Sequence, residues 1–222
     1  MKKGLFSNKK AMVILGGVLL LLAAGAVAVV YHMKQPKQVP VVEQEVREEE
    51  PQNLPPTLVV ETPQKISLSK EEAFTVKVSV TALGEADYPA ASVSISFDAS
   101  RLEFLGVKEG NVFVRNDMTD TDIAQQLPTW SHNVEQCNKT GVINIMYLDT
   151  TGGKKAFCGE LLAEDDNVLM RLEFRLRGSA RVGDIYDLIV EDAVFAASDE
   201  SLSLATLQDT LQVKDGKIVV GD

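Results

Sequence analysis

The sequence predicts an all-β fold, an antiparallel β-sandwich or jelly roll of about nine strands preceded by one transmembrane helix. Apolar and polar residues alternate with a period of two through most of the chain after residue 57, the pattern of strands with one buried face. Glycines separate these segments, and no long segment has the period of a helix. Ahead of them, residues 11–30 form one apolar block without a charge.

The N-terminal segment has the features of a membrane anchor. A helix over residues 11–31 is long enough to cross the roughly 30 Å hydrocarbon core. Residues 1–10 form a basic tail with four lysines, and the positive-inside rule places this tail in the cytoplasm and the rest of the chain outside. A cleaved signal peptide, indicated by Ala26-Val27-Ala28, is the alternative. Both interpretations export the remainder of the chain.

Residues 32–63 are predicted to form an extracellular spacer. Six of the eight prolines lie here, together with a run of glutamates. Proline restricts φ and like charges repel, so an extended segment is expected. The folded domain is then predicted to occupy residues 64–222.

Strand patterns occur at 58–61, 65–68, 74–81, 91–97, 102–107, 111–114, 143–148, 168–178, 186–190 and 217–220. In the segment 91–97, the apolar face carries Val93 and Ile95, and the opposite face carries Ser92 and Ser94. Short turns of helix are predicted at 121–126 or 159–165. Because no β-α-β order is present, two packed antiparallel sheets are the expected architecture.

Composition excludes several classes of function. The net charge of −10 leaves no basic face for nucleic acid. No nucleophile elbow, zinc-protease motif or phosphate-binding loop is present. His132 is the only histidine after the spacer, and a loop or strand-edge imidazole is its expected role. The sequence therefore predicts a protein that is not an enzyme.

Two groups of residues have side chains that metals or disulfides use. Asp117, Asp120 and Asp122 concentrate oxygens in one loop and are weak candidates for a calcium site. Cys137 and Cys158 either form a disulfide, as an exported domain permits, or remain two buried thiols.

Two further patterns suggest carbohydrate. The triplet that begins at Asn138 fits the N-glycosylation acceptor pattern. Trp130, Tyr147 and Tyr186 are aromatics that could line a sugar platform, although core or edge packing is the more common role of such scattered residues.

Five segments in order resemble the cohesin family. Residues 94–113 (SISFDASRLEFLGVKEGNVF) contain an apolar strand, an aromatic-Asp pair, Leu-Glu and a Val-x-x-Gly turn, and 143–153, 168–184, 190–196 and 215–222 follow in the family's order. The resemblance covers nearly all of residues 66–222. It implies a nine-stranded jelly-roll sandwich without catalysis, which binds dockerins, small calcium-loaded helical modules carried on other proteins, often glycoside hydrolases.

The resemblance also implies a binding face. In the better-known cohesins, a flat face that includes the strands matching 91–97 and 143–148 receives the dockerin helix. The residues of this chain at the matching positions, which the resemblance implies as partner contacts, are Ser92, Ser94, Tyr147, Asp149, Thr150 and Gly152. The chain has Ala90 and Ser92 where many cohesins place Asn and Asp, so strong charge-assisted contacts are missing there.

The expected function is therefore that of a non-catalytic module that captures a dockerin-like module of an exported protein or enzyme. The protein is expected to cross the cell membrane once, with its C-terminal domain outside. One alternative is a glycan-binding adhesin or carbohydrate-binding sandwich with a polysaccharide ligand. Such a protein needs an exposed row of aromatic side chains, which an aromatic content of 6% makes hard to supply. A structural component of the envelope is the other. No cofactor is expected in the domain itself, and calcium is expected on the partner.

Overall fold

The computed structural model describes residues 55–69, 72–117 and 125–221. They belong to one unit of the chain, Asn53–Asp222, which is separate from Met1–Gln52. The predicted basic tail, the helix at 11–31 and most of the spacer lie outside the described residues. In the part that is described, no helix is long and apolar enough to cross a membrane.

The described residues form thirteen strands and one short α-helix. The strands are β1 Thr57–Glu61, β2 Ile66–Ser67, β3 Ala73–Val80, β4 Ala90–Ser96, β5 Leu102–Glu109, β6 Arg115–Asn116, β7 Val142–Leu148, β8 Lys155–Ala156, β9 Val168–Leu176, β10 Ile185–Ala196, β11 Leu204–Ala205, β12 Gln212–Lys214 and β13 Gly216–Gly221. The helix α1 is Val134–Thr140, and single 3-10 turns occur at Gly159–Leu161, Glu200–Leu202 and Thr206–Gln208.

Two sheets form the sandwich that the alternation predicted. Sheet 1 has the strand order β12-β1-β3-β9-β5, and sheet 2 has the order β2-β13-β10-β4-β7, with β11 also paired to β10. The strands β6 and β8 form a separate two-stranded ribbon. The all-β prediction is confirmed. The predicted number of about nine strands is too low for the described residues, since several very short strands add to the long ones.

The expectation of purely antiparallel sheets is wrong at two places. β1 pairs with β12 in parallel, and β13 pairs with β2 in parallel. Both pairings join strands from opposite ends of the domain, so no turn sequence indicates them. β1 also pairs with β3 and buries Leu58 and Val60, so part of the predicted spacer belongs to the folded unit.

The core lies between the inner faces of the two sheets. Phe104 and Phe174 of sheet 1 and Ile95 and Phe195 of sheet 2 are all completely buried. The outer face of sheet 1 is polar, and several of its charges are paired. Arg175, for example, donates two hydrogen bonds to the Glu103 carboxylate, at 2.7 and 3.1 Å.

The predicted strand at 111–114 is not formed. The amides of Asn111 and Val112 both donate to the Val168 carbonyl, at 2.8 and 3.1 Å, which folds the segment into a bend. Gly110 permits this close approach, since a Cβ there would lie 1.8 Å from the Val168 oxygen. Only Val114 makes a bridge, to Gln126.

The long strand β10 contains a shift in its pairing register that the sequence pattern does not indicate. Its pairing with β4 shifts register between Val190 and Asp192, as a β-bulge does. After this shift the buried positions are Ala193 and Phe195, and Val194 turns outward. The predicted strand at 186–190 is therefore the first half of a strand that extends to Ala196.

Helix α1 was not predicted from periodicity because it has only seven residues. The sequence nevertheless contains capping residues at both ends of this helix. The Asn133 side chain accepts from the Gln136 amide at the N-terminus, and Gly141 takes the left-handed conformation at the C-terminus with φ 72°. Of the predicted helical turns, the one at 159–165 appears as the 3-10 turn Gly159–Leu161, and most of 121–126 lies outside the described residues.

Candidate functional site

The outward surface of β10, β4 and β7 is the candidate site. Strict alternation along β4 buries Val93 and Ile95 and turns Ser92 and Ser94 outward, as the sequence predicted. Register then places these serines between side chains of the two neighbouring strands. The candidate binding face, called the binding face below, consists of the rows Ala196–Ala90–Leu148, Val194–Ser92–Met146, Asp192–Ser94–Asn144 and Ile189–Ser96–Val142.

The shape of the binding face follows from residue size. The central strand presents one alanine, Ala90, and three serines, whereas β10 and β7 on either side present larger side chains at every position except Ala196. Neighbouring strands lie about 4.8 Å apart and successive rows about 7 Å apart, so the face is about 10 Å wide between outer Cα atoms and about 20 Å long. A shallow trough of this size matches the roughly 10–12 Å diameter of an α-helix.

The third row of the face, from Asp192 to Asn144, is polar and held in place. Ser94 Oγ donates to Asn144 Oδ1 at 2.8 Å. Thr206 Oγ1 donates to Asp192 Oδ1 at 2.8 Å. These bonds orient an amide NH₂ group on one side of the row and a carboxylate on the other.

Apolar side chains occupy the end of the face next to the Asp149 loop. Met146 is 51% exposed and Leu148 is 58% exposed, and half-buried Val194 lies across the trough from Met146. Sequence reasoning did not single out these residues. The alternation in 143–148 was sufficient to find them, because Met146 and Leu148 have the parity opposite to that of the buried isoleucines.

Tyr147 does not lie on the binding face, and its assignment as a partner contact is wrong. Its side chain is 5% exposed and its ring packs 5.0 Å from that of Phe157, between centroids. Its hydroxyl donates to the Lys155 carbonyl at 3.1 Å. Burial, with a smaller contribution from the Asp149 charge, raises the pKa of Tyr147 to about 12.

Asp149 supports the loop after β7. Its carboxylate accepts from the Thr151 amide and hydroxyl, at 2.9 and 2.5 Å, and from the Gly153 amide at 2.6 Å. Partial burial acts to raise the pKa of Asp149, but these hydrogen bonds outweigh it and the net pKa lies below the ordinary value. Asp149 therefore positions the loop, while Thr150 and Gly152 are exposed at its surface.

The remaining sequence candidates lie elsewhere. Cys137 and Cys158 are both free thiols and both buried, so the candidate disulfide is not formed. Cys137 lies on α1, whereas Cys158 follows β8, and burial raises the pKa of the Cys158 thiol. Asp117 is exposed, and Asp120 and Asp122 lie outside the described residues. Among the residues that are described, no cluster of three or more His, Cys, Asp or Glu side chains could hold a metal ion.

The structure does not favour either of the two patterns that suggested carbohydrate, the triplet at Asn138 and the three aromatic residues. The Asn138 amide is occupied by the backbone of β5, because it donates to the Phe104 carbonyl at 2.7 Å and accepts from the Phe104 amide at 2.9 Å. Trp130 and Tyr186 are each 7% exposed, and Tyr147 is also buried. These three aromatics therefore form no surface platform for a sugar.

Comparisons with known proteins agree with this fold. The family model of the cohesin domain matches residues 57–220. No curated protein matches the chain.

Solved structures with the same fold include three complexes. The third cohesin of ScaC with the ScaB dockerin from Acetivibrio cellulolyticus is 15% identical, with a TM-score of 0.52, and the match covers 75% of this chain and 99% of that one. The sixth cohesin of scaffoldin B from the same organism, with the Cel5 dockerin, is 17% identical with the same coverage and TM-score. The OlpA cohesin with Doc918 from Clostridium thermocellum is 15% identical, again with 75% and 99% coverage and a TM-score of 0.52.

The family match spans most of the chain, and the structural match covers 75% of it. The chain belongs to the cohesin domain family.

Proposed function

We propose that this chain is a non-catalytic binding module that captures a dockerin-type module of an exported protein on its binding face. The observation that carries the proposal is the trough along β4, whose floor of alanine and serine leaves room for a helix. Family membership supports it, as does the presence of a dockerin in each of the three related complexes.

The chemistry of the face suits protein recognition. It combines exposed apolar side chains with hydrogen-bonding groups already held by neighbours, which lowers the entropy lost on binding. Interfaces of this type derive most of their affinity from a few central contacts inside a polar rim. Nothing in such a mechanism requires a reactive group, and none of the described side chains on the face is a nucleophile paired with a base.

We also propose that the module is held at the cell surface. The support is the sequence of the N-terminal segment, with a basic tail at 1–10, an apolar block at 11–30 and a proline-rich spacer. Protease treatment of intact cells tests this placement. Loss of the C-terminal domain with retention of a tag at the N-terminus is expected, and protection of both ends would contradict it.

The binding proposal can be tested on the isolated unit 53–222. This unit contains all the described residues, and the structural match covers 99% of the related cohesin chain. Each dockerin encoded by the same genome is purified with calcium and titrated calorimetrically. Saturable binding by at least one of them is expected, and binding by none would refute the function.

Variants then test the face separately from the function. Ser92→Arg and Thr150→Arg place a long cation in the trough and at its rim, and both should abolish capture. Thr75→Arg, at an exposed position on the outer side of sheet 1, is the matched control and should bind normally. Normal binding by both face variants would keep the dockerin function and reject the face.

A further inference from the structure

Two parts of the binding face differ in their chemistry, and the fourth row, Ile189–Ser96–Val142, lies beyond them. The polar row consists of Asp192, Ser94 and Asn144. The apolar corner consists of Met146, Leu148, Val194 and Ala90, at the end next to the Asp149 loop.

We propose that this division sets which partners the face accepts: the partner helix buries apolar side chains in the apolar corner and places a Lys or Arg against Asp192. The inference rests on the proposed function and specifies its partner. A partner helix that carries only small polar residues at the contact would leave Met146 and Leu148 in water or bury its own polar groups against them.

The apolar corner is suited to act as the anchor of the interface. Met146 and Leu148 lie two residues apart on one strand, so their side chains are about 7 Å apart on the same side. Each is more than half exposed, while Val194 and Ala90 extend the apolar surface across the trough. Methionine adapts its shape to an irregular partner surface, which makes it common at such sites.

Charge determines the second part of the proposal. The central and outer strands β4 and β7 carry no charged residue. On β10 and β13, the acidic residues are Asp187, Glu191 and Asp192, and the one basic residue is Lys217, whose Nζ lies 3.6 Å from Asp187 Oδ1. Asp192 and Glu191 therefore leave this side of the face negative, which favours a basic residue on the partner.

Hydrogen bonding gives the two ends of the polar row different character, an acceptor at one end and a donor at the other. Thr206 occupies Asp192 Oδ1, and Ser94 occupies Asn144 Oδ1. The remaining carboxylate oxygen and the amide NH₂ lie on opposite sides of the row, separated by two strand spacings, or about 10 Å. A partner must present a donor opposite β10 and an acceptor opposite β7, so the row distinguishes the two directions in which a helix could lie.

The first experiment tests the apolar corner with a matched pair of variants. Leu148→Asn and Val182→Asn change apolar residues of similar exposure, 58% and 49%, and Val182 lies outside the binding face, in the turn before β10. The probes are the calcium-loaded dockerins that bind the wild-type unit 53–222, titrated calorimetrically. Leu148→Asn should weaken binding by about tenfold or more, and Val182→Asn by less than about twofold.

The second experiment tests the charge. Asp192→Asn keeps the shape and the bond from Thr206, and it should weaken binding by about fivefold or more and flatten the salt dependence of the affinity. Asp187→Asn, on the same strand, removes a charge already paired with Lys217 and should change affinity by less than about twofold. Equal losses in both variants would show an effect of net charge and overturn the role of Asp192.

The outcomes separate this inference from the function on which it rests. If no dockerin binds the wild-type unit, both are refuted. If a dockerin binds but Leu148→Asn has no effect, or Val182→Asn has an equal effect, the function stands and the apolar corner is overturned. Hydrogen exchange with the bound dockerin checks the result without a substitution, because amides of 146–148 should gain more protection than those of 185–189.

Discussion

The side chain of Asn138 substitutes for a missing strand at the edge of sheet 1, and removing it should destabilise the domain. Phe104 is completely buried, and its amide and carbonyl point away from β9 towards Asn138, which pairs with both at 2.9 and 2.7 Å. Asn138→Ala leaves these two backbone groups without partners beside the core. A buried unpaired group costs about 1–3 kcal/mol, and since Asn138 is only half-buried a total near 2 kcal/mol is expected.

Urea and thermal unfolding of the unit 53–222 measure this cost. In a domain of this size, a loss of about 2 kcal/mol lowers the Tm by about 4–8 °C. Gln136→Ala is the matched control, because Gln136 is exposed on the same helix and none of the hydrogen bonds described above uses its side chain. It should change the free energy of unfolding by less than about 0.5 kcal/mol.

A loss in Asn138→Ala no larger than that of Gln136→Ala would refute the reasoning. It would mean that water satisfies the Phe104 groups as well as the amide does. The same contact also predicts that Asn138 carries no glycan when the domain is produced in a glycosylating host. A mass increase at Asn138 in the folded domain would contradict the geometry.

Three further predictions concern buried or perturbed groups. The Ser79 hydroxyl is buried and has no hydrogen-bond partner among the described residues, so Ser79→Ala should leave the Tm unchanged or raise it, with a gain of at most about 1 kcal/mol in the free energy of unfolding. Because the pKa of Asp149 is lower in the folded state, its stabilisation is complete above about pH 4 and is lost as the pH falls through the folded pKa. Asp149→Ala should therefore lower the Tm at pH 7 but change it little at pH 2. Thiol titration should find Cys137 and Cys158 both reactive in denaturant without reductant, and both slow to react in the native domain.

Each of these predictions has a contrary result. A clear loss of stability in Ser79→Ala would reveal a partner for its hydroxyl. Equal losses at pH 7 and pH 2 in the Asp149 variant would show that the carboxylate charge does not hold the loop. Unreactive cysteines in denaturant would show that they are joined by a disulfide.

Local alternation was sufficient for much of the fold. The segments 74–81, 91–97 and 168–178 became β3, β4 and β9 with small shifts at their ends, because a strand with one buried face repeats every two residues whatever its partners. The same rule oriented Ser92 and Ser94 correctly. Tyr147 was misplaced because it was assigned by position in a family, although its parity matches that of the buried Ile143 and Ile145.

Other features depend on partners distant in the chain. The parallel pairings of β1 with β12 and of β2 with β13, and the bond from Asn138 to Phe104, join segments whose local patterns contain no information about each other. Helix α1 has end signals at Asn133 and Gly141, but seven residues are too few to establish a helical period.

The sequence by itself determined that the domain is all-β and which side of β4 faces outward, since both follow from a periodicity that any single strand displays. Only the tertiary structure decided which side chains share a row. Asp192, Ser94 and Asn144 meet because of the pairing register and the bulge between Val190 and Asp192, and Leu148 becomes part of an apolar corner through the same pairing. Register depends on the free energy of the whole sheet, so the composition of the binding face is not encoded in any one segment.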